Sequence, residues 1–250
     1  MPWEVVAVLI GLLAAVITAV AGYWVARYQQ REHARQAEQA RDDEAVRVVR
    51  KYRDPLVRAA FDLQSRLYNI MIHDFLGKYY VRGSEAEKVY ARDSTLFVVG
   101  DFLGWVEIMR REIQFLDLRD VTKNRELALR LDAISHEFLR ERPDTTFRIF
   151  RAEQRAIGEL MIETQAGGAR ECIGFAMFAE RLSEKSFGRW FDKLRADIEL
   201  LAREPGQHFE RIVLVQHTLL DLVEFLDPDD QYFPRSMRSR VSIALEVRAS

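Results

Sequence analysis

Between Val5 and Ala26 the chain reads VVAVLIGLLAAVITAVAGYWVA, 22 residues without a charge and with Thr18 as the one clearly polar side chain. Wound as a helix at ~1.5 Å per residue, such a run is about 33 Å long, enough to cross a hydrocarbon core of roughly 30 Å. Trp3 stands at one edge, with Tyr23, Trp24 and Tyr28 at the other. Amphipathic rings favour that headgroup level. The run therefore predicts a membrane anchor over residues 1–26, with lipid as the partner of residues 5–26. A cleaved signal peptide is the competing reading, and Ala19-Val20-Ala21 imitates its cleavage site. The flank Pro2-Trp3-Glu4 lacks the basic residues such a peptide needs, and the apolar run is too long for one. After the run come Arg27, Arg31, Arg35 and Arg41. Basic residues stay on the cytoplasmic side, so the expected topology is single-pass in a cell (inner) membrane, with the bulk of the chain cytoplasmic. Trp3, Tyr23, Trp24, Arg27, Arg31 and Arg35 form the expected membrane interface.

Residues 27–53 are polar, charged and free of Gly and Pro, and rich in helix formers. They read as a juxtamembrane helical stalk. Sustained apolar heptads are missing, so a dimerising coiled coil is the weaker alternative, although a homo-oligomer is compatible with the pattern.

From 54 to 228 the pattern is helical throughout, and the expected fold is all-α: a multi-helix bundle without an internal domain break. Asp54-Pro55 has the form of an N-cap and first helical residue. Apolar residues then recur at three- and four-residue spacing from Val57 to Leu76. Ser84-Glu85-Ala86-Glu87 is a capping box. Between Thr95 and Leu118 the chain is apolar on two sides, which marks a central, buried helix, and Gly100 and Gly104 would admit a neighbouring backbone. Asp101 and Glu107 argue against a second membrane span there. Further helices are expected over 123–141, 147–164, 169–182, 186–203 and 207–226, with Gly167-Gly168 as a loop. Residues 229–250 lack a period and read as a C-terminal tail docked by Tyr232 and Phe233.

Chemistry is sparse in this pattern. A formal charge of -2 excludes the strongly basic class of nucleic-acid binders. Cys172 is the single cysteine, so no intrachain disulfide or cysteine zinc site forms. The 31 Arg against 6 Lys point to a GC-rich bacterial genome. His33, His73, His136, His208 and His217 are scattered without metal-ligand spacing. Nucleophile-elbow and phosphate-loop motifs are absent, and no cofactor is implied. In the 151–159 helix, Glu153 and Gln154 share the side of Phe150, Ile157 and Met161, while Gln64 and Gln216 interrupt the apolar faces of their own helices. Glu153, Gln154, Gln64 and Gln216 are therefore the candidate ligand-binding residues. A polar cavity around Glu153 would serve an enzyme or ligand sensor; a satisfied network, with Glu153 held by Arg66 or Arg110, would be structural. The run Asp221, Glu224, Asp227, Asp229, Asp230 precedes Arg235, Arg238, Arg240, and is expected as solvated surface or, for its basic half, as a lipid contact. The function that best fits the pattern is a membrane-tethered interaction or scaffold module with a protein partner.

Overall fold

The structure, a computed structural model, describes residues 24, 27–29, 51–112 and 121–242. The chain divides into two compact units, Met1–Val49 and Arg50–Ser250. In the first, Trp24 and residues 27–29 are helical and exposed. The remainder of the expected anchor and stalk, including Trp3, Tyr23, Arg31 and Arg35, lies outside the described residues. Among the described residues no helix is long and apolar enough to cross a membrane.

The second unit is mostly helical. Helix α1 (residues 51–72) buries Leu56, Ala60, Leu63, Leu67 and Ile70 along one stripe. It does not restart at Asp54-Pro55, because residues 51–54 are already helical. Tyr52 belongs to the same buried stripe as Leu56, Ala59 and Leu63, so helix continued across the proline keeps that ring packed at the loss of one main-chain bond. Asp54 meets Arg53 at 3.2 Å instead of capping the helix. A π-helical turn, Gly77–Val81, leads to α2 (Glu85–Glu112). The capping box forms as expected: the Ser84 amide donates to Glu87 Oε2 at 2.7 Å.

Helix α2 is the central element, packed on α4 (Arg151–Leu160), β2 (Arg170–Cys172), α5 (Phe175–Arg181) and α7 (Asp192–Arg203). The anticipated close approach occurs at Gly104. A Cβ there would lie 2.5 Å from Cys172 Sγ and 2.9 Å from Met161 Cβ. Gly158 answers from α4, where a Cβ would meet the Leu103 carbonyl oxygen at 2.6 Å. Only glycine on both helices allows this crossing.

Two expected helices are partly replaced by a hairpin. Strand β1 (Ile162–Thr164) pairs antiparallel with β2, with Ile162 opposite Cys172 and Thr164 opposite Arg170. Gly168, at φ 78°, makes the reversal. The Ile173 amide donates to the Met161 carbonyl at 2.8 Å, and both side chains are buried. Three-residue strands are too short for a period of two to register in the sequence, while burial of Met161 against Gly100 and Gly104 fixes the pairing.

The helix expected over 186–203 divides into α6 (Lys185–Gly188) and α7, joined by a turn. That turn sets Phe187 and Phe191 edge-on to Phe178, at 5.7 and 5.2 Å between ring centroids. Helices α3 (Val121–Leu139) and α8 (Glu210–Leu226) pack on one another. Residues 229–242 are part of the folded unit: Phe233 stacks on Phe61 of α1 at 3.7 Å, and Val241 is buried.

Candidate functional site

The four candidate residues fall into three separate arrangements. Glu153 is half-buried and turned to its own helix start, where Oε2 accepts the Phe150 amide at 2.8 Å. It completes the N-terminal cap of α4. Neither Arg66 nor Arg110 holds it: Arg66 donates to Ser94 and Thr95, and Arg110 pairs with Glu107. The expectation of an inward-pointing carboxylate ignored that the third residue of a helix can reach back to the amides its own first turn leaves unpaired.

Gln154, by contrast, is buried and fully used. Its Oε1 accepts from Ser135 Oγ at 2.7 Å, and its Nε2 donates to the carbonyls of Ser135 (3.1 Å) and Ile149 (2.8 Å). The amide ties α4 to α3. Gln64 and Gln216 meet each other across α1 and α8, with Gln216 Nε2 3.3 Å from Gln64 Oε1. Gln216 also donates to the Ser239 carbonyl at 2.9 Å and accepts the Val241 amide at 3.3 Å. This pair fastens the C-terminal segment.

An open cleft of about 360 Å³ lies between α2, α3 and α4. Leu103 and Val106 of α2 and Ala128 and Leu131 of α3 supply its walls, and Gln154 and Ser135 lie within it. Its charged lining residues are Glu107, Arg110, Asp132, Arg151 and Arg155. Glu107 is 2% exposed and accepts from Arg110 at 2.6 Å and Arg111 at 2.7 Å. Burial works to raise that carboxyl, but the two guanidinium groups prevail and hold it below the usual carboxylate range. Asp132 pairs with Arg151 at 2.9 Å. The polar groups in this cleft thus mostly bond within the protein, while Asp132, Arg151 and Arg155 stand exposed at its edge.

On the far side of the cleft's helices, Asp101 of α2 approaches Cys172. Burial, with repulsion from Asp62, outweighs hydrogen bonds from Cys172 and Trp105 and pushes Asp101 up to about 6. Burial also pushes the Cys172 thiol up, which makes it an inert thiol rather than a nucleophile. Among the described residues no group of three His, Cys, Asp or Glu side chains is placed to hold a metal ion. No family model, characterised protein or solved structure matches this chain.

Sequence reasoning missed two cations that are buried among the described residues. Arg211, at the start of α8, is 1% exposed and donates to five main-chain carbonyls: Glu137 (2.9 Å), Phe138 (3.3 Å), Arg140 (2.8 Å), Asp144 (3.1 Å) and Thr146 (3.0 Å). It satisfies the open end of α3 and the loop that follows. That loop carries Phe147 at φ 56°, buried, with its amide on Asp197 at 2.9 Å. Arg238 is also buried, with Asp227, itself buried, at 2.6 Å. Arg240 pairs with Asp221 (2.8 Å) and Glu224 (3.0 Å), and Arg235 with Asp230 (3.0 Å). Most of the two runs is thus paired but solvated surface, as the sequence pointed to, with Glu224, Asp229, Arg235 and Arg240 exposed; the exception is the buried Asp227–Arg238 pair. An acidic run followed closely by a basic one was the available signal. Nothing comparable marks Arg211, whose partners are main-chain atoms.

Proposed function

We propose that this chain is a membrane-tethered binding module, in which residues 5–26 hold the helical body at the inner face of the membrane and the α2/α3/α4 cleft is its recognition surface. The observation that carries the cleft's role is its combination of apolar walls with polar groups that, Arg155 apart, are already satisfied inside the protein. Such a surface gains from an apolar occupant and loses few hydrogen bonds to water when filled. The tether rests on the 22-residue uncharged run and the four arginines that follow it. Tethering confines binding to a thin layer under the membrane and raises the effective concentration of anything else held there. The enzyme-or-sensor alternative loses Glu153 to helix capping and keeps Gln154 only as a cleft residue.

Fractionation of full-length chain against a chain lacking residues 1–26 tests the tether. The full-length chain is expected in the carbonate-resistant membrane fraction, the truncated chain in the supernatant, and a reporter fused at the C-terminus in the cytoplasm. A soluble full-length chain or a periplasmic reporter overturns the proposal.

A further inference from the structure

We infer that the cleft between α2, α3 and α4 takes a small amphiphilic anion, its apolar chain on Leu103, Val106 and Leu131 and its charged head on Arg155. The inference rests on reading the cleft as the recognition surface. Size comes first. About 360 Å³ is near the lower end of small-molecule sites, which run from roughly 300 to 1,000 Å³. The interior offers a ligand little polar purchase, because the Gln154 amide is spent on Ser135 and Ile149. A sugar or other polyhydroxyl body would leave its own groups unpaired there. An aliphatic chain would not.

Charge then decides the head group. Three cations and two carboxylates line the cleft. Glu107 is taken by Arg110 and Arg111, and Asp132 by Arg151. Arg155 is exposed on α4 and has no ion-pair partner among the described residues. Among the described lining residues one positive charge is left over, at the exposed edge of an apolar wall. A guanidinium in that position selects a carboxylate or phosphate head through charge-assisted hydrogen bonds, and repels a cationic one.

The test is calorimetric titration of the full-length chain in phosphatidylcholine nanodiscs with octanoate, octylammonium and acetate, against empty discs. Saturable binding of one octanoate per chain is expected, with acetate and octylammonium at least tenfold weaker. R155E should weaken octanoate by about tenfold or more, the usual scale of one charge-assisted contact. A128F, which fills the cleft from an exposed position on α3, should abolish binding. Both variants should keep the parent's urea midpoint. Octylammonium binding as well as octanoate, an R155E chain that binds unchanged, or heat equal to that of empty discs each overturns the inference. Fractionation reads the tether separately, so a membrane-bound chain that ignores octanoate sinks the ligand and leaves the tether standing.

Discussion

Helices α8 and α2 both run through the interior, yet they bury polar groups in different ways. On α8, Arg211 and Gln216 are 1% and 0% exposed, and most of their bonds go to main-chain atoms of the 137–146 and 239–241 segments. On α2, Glu107 and Asp101 answer to side chains: surface arginines for the first, a thiol and an indole for the second. Main-chain partners do not titrate and cannot swing away. Side-chain partners can swing away, and Asp101 itself titrates. The α8 side is thus a fixed brace, and the α2 side, where the cleft opens, is the part whose electrostatics respond to conditions.

Replacing Arg211 strikes the brace hardest. Arg211→Met keeps an unbranched stem but removes every donor to five carbonyls, and it frees the loop that holds Phe147 in a left-handed conformation costing roughly 1–2 kcal/mol. A loss of about 3–5 kcal/mol is expected from urea unfolding, equal at pH 5 and pH 8 because a guanidinium stays charged throughout. A loss under about 1 kcal/mol, on the scale of one ordinary hydrogen bond, would mean the loop rehydrates freely and α8 braces nothing.

Asp101 on α2 should behave oppositely, in size and in pH dependence. Its folded-state pKa is raised to about 6, above the value near 4 of an unfolded chain. A raised pKa means the folded protein binds the proton more tightly, so this group's stabilisation is complete below about pH 4 and is lost as pH rises through about 6. Asp101→Asn removes the penalty. It is expected to be more stable than the parent at pH 7 by about 1–3 kcal/mol, with the gap closing between pH 6 and pH 4. Urea midpoints measured across that range check it; a gap that stays constant with pH contradicts the assignment.

The same contrast explains what could be foreseen. Elements defined by apolar period were legible: α3 and α8 fall within a few residues of their expected spans, and Gly104 makes the close approach its spacing implied. The hairpin was not legible, because three-residue strands carry no period and their pairing is decided by Met161 packing on α2. Of the site, Gln154 was visible as a polar residue on an apolar face. The cleft was not, since it depends on α3 standing away from α2, a spacing no local pattern records. Arg211 was invisible for the same reason: its partners are carbonyls, which every residue has.

Glu153 carries the smallest expected effect and separates capping from chemistry on the helix between the two sides. Its carboxylate accepts one amide, Phe150 N–H at 2.8 Å, at the positive end of α4. Glu153→Gln keeps an acceptor at the third helical position and should be nearly neutral, whereas Glu153→Ala leaves that amide without its side-chain partner and should cost about 0.5–1 kcal/mol. Neither should alter octanoate binding, because Glu153 faces its own N-cap and does not line the cleft. A Gln variant as stable as the parent but deficient in binding would return Glu153 to the site as an ionised group in its own right. It would also show that the cleft extends past Gln154, round the first turn of α4.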